Sequence, residues 1–371
     1  MNSQSAISNQ QSSIPGAPSP KRSKIKVAIL GATGAVGQRF VQLLENHPWF
    51  EVTALTGSDR TIGQTYGDGC RWILPEPMPL YARAMRVVPT APGFEAAIAF
   101  SALPTDTAKE AEPALAAAGY GVCSNASSHR MWPDVPLLIP EVNPDHTALI
   151  EVQKKARGWK GFITTNPNCT STGLTIALKA LQESFGLRRA FVVSLQALSG
   201  AGYPGVASLD ALDNVIPYIA GTEEEKVETE PRKMLGRLNG GQIEEAPVRL
   251  SAHTNRVAVT DGHLVCVSIE FEREASAAKA AQCLSDFQAP AVVQTLPSAP
   301  HCVIEVRPEV DRPQPRKDRD AGKGMTTVVG RVRVDPLLHV KFVCLSHNTI
   351  RGAAGGSILN AELLVAQGLV Q

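Results

Sequence analysis

Lys24-Ile25-Lys26-Val27-Ala28-Ile29-Leu30-Gly31-Ala32-Thr33-Gly34-Ala35-Val36-Gly37-Gln38 is the stretch that decides the fold. Ile25, Val27, Ala28, Ile29 and Leu30 alternate and then run together, the pattern of a buried strand. Three glycines follow at once. Phe40, Val41, Leu43 and Leu44 then recur at helical spacing, which predicts a helix over Gln38 to Asn46. A second strand is expected over Glu51 to Thr56. Strand, glycine turn, helix and strand open a doubly wound α/β domain. In such a turn the glycines let the backbone approach a pyrophosphate, with the helix N-terminus facing the anion. Gly31, Thr33, Gly34, Ala35, Val36 and Gly37 are therefore candidates for holding a dinucleotide. Their Gly31-x-x-Gly34-x-x-Gly37 spacing is one residue longer than the common G-x-G-x-x-G.

The end of the second strand chooses between cofactors. Asp59 suits a ribose 2′-hydroxyl and NAD, whereas Ser58 and Arg60, followed by Thr61, suit a 2′-phosphate and NADP. The loop after Arg60 favours NADP. Further α/β units are expected as strand Ala96 to Ser101, helix Thr105 to Ala118 and strand Gly121 to Ser124, with Ser101 joining the candidate cofactor residues. Beyond residue 169 the pattern turns β-rich, with strands expected over Ala190 to Leu198, Val257 to Val259, His263 to Phe271 and Val328 to Val334. This describes a second, mixed α+β domain. The Pro- and Arg-rich run Pro308 to Lys323 reads as a loop, either at a subunit contact or a mobile surface excursion. An apolar pattern over Gly352 to Leu369 predicts a C-terminal helix returning to the first domain.

Composition narrows the class. The chain has 371 residues, 43% of them hydrophobic and 19% charged, with a net charge of +1. That fits a two-domain globular protein and gives no reason to expect nucleic acid or a membrane as partner. Seven scattered cysteines without a C-x-x-C pair argue for reduced thiols in the cytoplasm, and against a zinc site or a disulfide framework. Residues 1–23, rich in Ser, Gln, Asn and Pro, read as a disordered tail. The expected division is residues 24–163 plus 349–371 as the dinucleotide-binding domain, and 164–348 as the catalytic and dimerisation domain.

One thiol stands out in Thr164-Thr165-Asn166-Pro167-Asn168-Cys169-Thr170-Ser171-Thr172-Gly173. Thr and Ser residues able to cap, then Leu174, Ile176, Ala177, Leu178 and Leu181, place Cys169 at the start of a helix, where the dipole favours a thiolate. A thiolate there can attack a carbonyl carbon and hold an acyl group as a thioester. His263 is the expected base toward Cys169, with His253 ranked second. Arg256 is suited to a carboxylate, and Gln196 to a carboxylate or the acyl group. The segment between Arg256 and His263 can bend at Asp261-Gly262. Glu223 can hold an ammonium, and Arg130 with Lys226 a phosphoryl group.

In the order and spacing of GATGAVGQ (31–38), SNASSHRMWPDVPLLIPEVNPDH (124–146), TNPNCTSTGL (165–174), SGAGYPG (199–205), EEEKVETE (223–230), RVAVTDGH (256–263), PQPRKDRDAGKGM (313–325) and NTIRGAAGGSILNAEL (348–363), the chain resembles the aspartate-semialdehyde dehydrogenase family, in its archaeal and fungal branch. Ala258 and Trp132 depart from the family pattern. The resemblance implies NADPH-dependent reductive dephosphorylation of aspartyl phosphate through a Cys169 thioester, in lysine, threonine and methionine biosynthesis. It implies His263 as acid/base and Gln196 and Arg256 as substrate contacts. Arg130, Asn168 and Lys226 fall on the phosphate side, and Glu223 at the amino group. Gly200 and Asn348 join the cofactor residues. Small-molecule substrate, phosphate and a homodimer or homotetramer are the partners implied. Two other readings keep part of the pattern: the same thiol chemistry on N-acetylglutamyl phosphate or malonyl-CoA, and a non-catalytic dinucleotide sensor. The joint presence of Cys169, Gln196, Arg256 and His263 weighs against the second.

Overall fold

Six strands, β1 (Ile25–Leu30), β2 (Phe50–Thr56), β3 (Val87–Val88), β4 (Ile98–Ser101), β5 (Gly121–Ser124) and β6 (Phe162–Thr165), make one parallel sheet. They are ordered β3-β2-β1-β4-β5-β6 in the computed structural model, which describes residues 23–219 and 221–370. The strand order reverses between β1 and β4, so a crevice opens at their carboxyl ends, where ligands bind in doubly wound sheets. Val27 to Leu30 are wholly buried, as their unbroken apolar run requires. Helix α1 (Ala35–Leu43) starts three residues before the expected Gln38, because Gly34 takes the extended N-cap conformation directly after the turn. Helices α2 (Thr105–Ala118) and α3 (Leu149–Arg157) follow, α2 with the bounds its sequence predicts. Residues 1–22 of the predicted tail lie outside the described residues.

The second sheet contains β7 (Leu187–Gln196), β8 (Val215–Pro217), β11 (Arg249–Val257), β12 (His263–Phe271), β13 (Ile304–Arg307), β14 (Thr327–Val334) and β15 (Val340–Ser346). Its order is β13-β14-β15-β12-β7-β11-β8, with a separate hairpin of β9 (Arg237–Asn239) and β10 (Gln242–Glu244). Strand β11 runs parallel to β7 and β12 antiparallel to it. Residues 258–262 must therefore cross over the carboxyl end of β7. The strand expected at Val257 to Val259 does not form: β11 ends at Val257, and the Val259 carbonyl accepts the Leu198 N–H at 2.7 Å to tie down the crossing.

Helix α4 (Cys169–Phe185) packs on the second sheet, with Leu174, Ile176, Ala177, Leu178 and Leu181 wholly buried. Helices α5 (Glu223–Met234) and α6 (Ala277–Ser285) share that core, and α5 also contacts β11. Residues 350–354 form a π-helical turn that leads into α7 (Gly355–Ala366). Ile358, Ala361 and Leu364 of α7 join Ile29, Phe40 and Phe100 in the core of the first sheet, as the C-terminal apolar pattern predicts. The run from Pro308 to Lys323 is largely loop, as expected. It holds a helical turn at Pro315–Asp318, whose buried Asp318 carboxylate gathers the guanidiniums of Arg307 and Arg312. Among the described residues, no helix is long and apolar enough to cross a membrane and no cluster of metal-ligating groups occurs.

The C-terminal turn is anchored by a bidentate pair: Arg351 Nη1 and Nη2 each donate to the Glu141 carboxylate at 2.6 Å, both side chains being almost fully buried. Removing one partner of such a pair strands the other charge in low dielectric. Arg351→Leu is therefore expected to lower the unfolding free energy by about 3–5 kcal/mol. The double variant Arg351→Leu/Glu141→Leu recovers part of that loss, as measured by urea denaturation.

Candidate active site

Three strand ends meet at one level of the second sheet. Arg256 on β11 is the register partner of Gln196 on β7, and His263 opens β12, one residue before the Leu264–Leu195 pair. The crossing at 258–262 makes this possible, because it reverses the chain over the end of β7 and returns it on the opposite flank. Gly262, at φ +100°, supplies the bend expected at Asp261-Gly262. The second sheet thus presents a guanidinium, an amide and an imidazole side by side.

The fourth member arrives on α4. Cys169 is the first helical residue, and its Sγ lies 3.2 Å from His263 Nε2. The cap is Asn168 rather than Thr or Ser: its Oδ1 accepts the N–H groups of Thr170 (2.9 Å) and Ser171 (3.1 Å). Two glycines let the helix mouth seat. A Cβ on Gly173 would fall 2.6 Å from the Ser346 Cβ at the end of β15, and one on Gly352 would fall 2.7 Å from the Cys169 Cβ. The π-helical turn therefore presses directly on the nucleophile. His253, the lower-ranked histidine, sits exposed on β11 against Phe191, away from the sulfur.

At the half-buried Cys169, burial and the helix mouth act in opposite directions. Burial pushes Cys169 up to about 12, with the Glu223 carboxylate acting the same way; Arg130, Arg256 and the Thr170 N–H pull down but do not prevail. Burial, with help from Arg256 and His347, holds His263 down to about 3. Nδ1 of the ring accepts the Ala197 N–H at 3.0 Å, so the neutral imidazole carries its proton on Nε2, facing the sulfur.

Helix α5 organises the remaining charges, and two of its residues were missed in the sequence. Glu230 Oε1 accepts from Arg130 Nη1 at 2.9 Å, and its Oε2 accepts the Asn168 N–H at 2.6 Å, joining the two halves of the site. Lys233 Nζ donates to the carbonyls of Arg130 (2.7 Å), Trp132 (2.6 Å) and Val135 (2.8 Å), clamping the loop that carries Arg130. Burial lowers Lys233 to about 8. The signal was available: Glu223, Glu230 and Lys233 are seven and then three apart, one face of a helix. Glu223 Oε1 accepts from Asn168 Nδ2 (2.9 Å) and Gln196 Nε2 (3.1 Å), and Lys226 Nζ stands 3.9 Å from Glu223 Oε2. Cys169, His263, Gln196, Arg256, Glu223, Arg130 and Asn168 are thus brought together. Lys226 stands at the rim, donating to the Gly221 carbonyl at 2.7 Å. Asn168 spends its side chain on the helix cap and on Glu223, so it faces the site chiefly as a scaffold.

The dinucleotide candidates line the carboxyl ends of β1, β2 and β4. A Cβ on Gly31 or Gly37 would meet backbone at 2.9 Å and 2.2 Å, so these glycines serve the turn itself. Gly34 has only the Gly31 carbonyl within reach, at 3.5 Å, and caps α1 without a side chain. The N–H groups of Ala35 and Val36 thus open the helix beside a space that a Cβ at residue 34 would narrow. Thr33 lies in the same turn. Ser101, at the end of β4, buries a hydroxyl that finds no partner, a donor aimed at something the chain does not supply. Ser58, Asp59 and Arg60 are solvent-facing after β2, and Thr61 closes their turn on the Ser58 carbonyl. Gly200 packs against Arg256 and His263: a Cβ there would fall 2.8 Å from Arg256 and 3.1 Å from the His263 ring. Asn348 is occupied at both ends, accepting from the Gly262 N–H (2.8 Å) and donating to Ser199 Oγ (2.7 Å), so it braces the crossing.

Comparison with known proteins gives a consistent family. Residues 26–150 match the family described as semialdehyde dehydrogenase, NAD binding domain, and residues 178–351 the semialdehyde dehydrogenase, dimerisation domain. The aspartate-semialdehyde dehydrogenase of Archaeoglobus fulgidus is 53% identical over 94% of this chain and all of its own length. That of Cryptococcus neoformans is 46% identical over 94% of this chain and 99% of its own. The crystal structure of the Candida albicans enzyme with NADP is 41% identical, with a TM-score of 0.85 over 94% of this chain and all of that one. The Vibrio cholerae aspartate semialdehyde dehydrogenase II complexed with ASA is 27% identical, with a TM-score of 0.74 over 93% and 99%.

The press of the π-helical turn on Cys169 is testable. Gly352→Ala is expected to overpack the helix mouth and lower the unfolding free energy by about 1–3 kcal/mol. The change is read from the urea midpoint at unchanged m-value.

Proposed function

The chain belongs to the aspartate-semialdehyde dehydrogenase family, and on that footing we propose that it reduces L-4-aspartyl phosphate to L-aspartate 4-semialdehyde with NADPH. The contact that carries this reading is the 3.2 Å approach of Cys169 Sγ to His263 Nε2 at the mouth of α4. A thiol so placed accepts an acyl group, and the surrounding charges suit an amino-acid acyl phosphate. Arg256 binds the α-carboxylate, and the outer oxygen of Glu223 receives the ammonium. Arg130, braced by Glu230, and Lys226 at the rim hold the phosphoryl group, with Asn168 setting the helix mouth. Gln196 Nε2 steadies the acyl carbonyl, and His263 Nε2–H donates toward the oxygen on which charge builds. This charge pattern favours the acyl phosphate over malonyl-CoA, which brings neither an ammonium nor a leaving phosphate.

The crevice suits a dinucleotide, with the Gly34 space, the uncapped start of α1 and the unpartnered Ser101 hydroxyl in line. Gly31, Thr33, Gly34, Ala35, Val36 and Gly37 receive the pyrophosphate, and Ser58, Arg60 and Thr61 the 2′-phosphate, which makes NADP the cofactor. Gly200 and Asn348 shape the nicotinamide end from the second sheet. When bound, NADPH supplies the hydride that reduces the thioester. The domain division proposed is 24–163 plus 349–371 against 164–348. The chain assembles as a homodimer or homotetramer through the outer face of the second sheet, where Phe191 and His253 lie exposed. Seven free thiols are in keeping with a cytoplasmic location.

The deciding experiment is phosphate-dependent reduction of NADP against NAD with aspartate semialdehyde. NADP is expected to be preferred, and Cys169→Ser to lose about 10³-fold or more in kcat, because an alkoxide is far harder to form than a thiolate. Equal turnover of a CoA thioester, or full activity of the serine variant, overturns the reading. Arg60→Ala is expected to raise the KM for NADP about tenfold while leaving that for NAD within a factor of about two, since only the former loses a charge-assisted hydrogen bond to phosphate.

A further inference from the structure

Two buried histidine–carboxylate pairs take no part in the chemistry above. His47 Nε2 meets Glu362 Oε1 at 2.8 Å, between the loop after α1 and α7. His129 Nδ1 meets Glu112 Oε2 at 2.9 Å, and His129 is the neighbour of Arg130 in the chain. Glu112 comes from α2 and is wholly buried, and His129 nearly so. The other oxygen of Glu112, Oε1, accepts from Ser124 Oγ at 2.7 Å, at the end of β5. Ser124 Oγ in turn accepts the Ala126 N–H at 3.1 Å. One carboxylate therefore ties together both ends of the turn that leads into Arg130. His129 Nε2 is buried and has no partner among the described residues, so the bond to Glu112 is the ring's one tie. The far side of the ring is filled by Trp132, which departs from the family pattern. It meets the imidazole edge-on with centroids 4.3 Å apart, and the Arg157 guanidinium covers it at 4.0 Å. Asp134 holds that guanidinium at two points, at 2.5 and 2.8 Å.

The closed turn reaches Arg130 itself. The Asn125 carbonyl, between the two tied residues, accepts Arg130 Nη2 at 2.7 Å, while Glu230 takes Nη1. Arg130 Nε is buried without a partner among the described residues, so the guanidinium keeps a donor for an anion. Lys233 fixes the backbone from Arg130 onward, and Glu112 fixes the turn before it. We propose that Glu112 is a positioning residue for the phosphate subsite: through Ser124 and His129, its carboxylate sets the turn from which Arg130 meets the phosphoryl group. This rests on the acyl-phosphate reading above. Arg256 stands on β11 and the glycine turn follows β1, so neither the carboxylate contact nor the pyrophosphate contact is carried by the tied turn. Loosening the turn therefore weakens phosphate selectively. A guanidinium displaced by an ångström loses its fork geometry on the anion, while the other ligands keep theirs.

The test is oxidation of aspartate semialdehyde by the full-length protein, with inorganic phosphate, aldehyde and NADP varied in turn. Glu112→Leu and His129→Leu are each expected to raise the KM for phosphate about tenfold, with kcat at saturating phosphate and the other two KM values within about threefold of wild type. His129→Asn keeps an N–H donor near the Nδ1 position and is expected to restore the phosphate KM to within about threefold. Where Glu112→Leu does not fold, the two His129 variants decide. His47→Leu is the control, since it breaks a buried pair of the same kind remote from Arg130, and it is expected to leave the phosphate KM within about twofold. An unchanged phosphate KM in His129→Leu overturns the proposal. So does an equal rise in all three KM values, an equal rise in His47→Leu, or an Asn variant no better than Leu. Arg130→Ala separates the proposal from the reading beneath it. A phosphate KM that Arg130→Ala leaves unchanged removes the phosphate assignment and the positioning role with it. A KM raised by Arg130→Ala but not by His129→Leu overturns the positioning role alone.

Discussion

The short crossing from Val257 to His263 is the constraint on which the site depends. Because β11 and β12 flank β7 on opposite sides, the chain between them must arch over the carboxyl end of β7. That arch sets Arg256, Gln196 and His263 at one height, and its hydrogen bonds to the 198–199 backbone hold the Ala197 N–H against the imidazole. Asn348 extends the brace by linking Gly262 to Ser199, so the C-terminal segment also senses the arch. Position, ring orientation and tautomer of the histidine thus follow from one piece of topology.

Helix α5 does the complementary work for the other half. Cys169 enters on α4 and Arg130 on the loop after β5, elements far apart in the chain. Glu230 touches both, one oxygen on Arg130 and one on the Asn168 N–H, and Lys233 fixes the loop backbone through three carbonyls. Those three acceptors only partly offset the desolvation that lowers the buried Lys233 ammonium to about 8. The spacing between Cys169 and Arg130 is therefore set by one helix that touches both.

The electrostatics of the free protein run against a simple reading of helix dipoles. A helix N-terminus and two arginines favour a thiolate at Cys169, yet burial and Glu223 outweigh them.

Much of this was readable in the sequence. The parallel sheet announced itself in the apolar run Val27 to Leu30 and the glycine turn, because strand burial and tight turns leave local marks. Cys169, Gln196, Arg256 and His263 stood out because their chemistry is borne by residue type. What the sequence could not reveal arises from contacts between distant segments. Asn168 takes over the cap that Thr or Ser was expected to provide, and Asn348 spends its amide on bracing the arch. The Pro- and Arg-rich run gathers two guanidiniums on Asp318, and burial pushes the cysteine up against the pull of its helix mouth. Local sequence determined which groups were present and which elements carried them. Tertiary structure decided their protonation and partners, because desolvation and hydrogen-bond geometry belong to the packed site and not to any one segment.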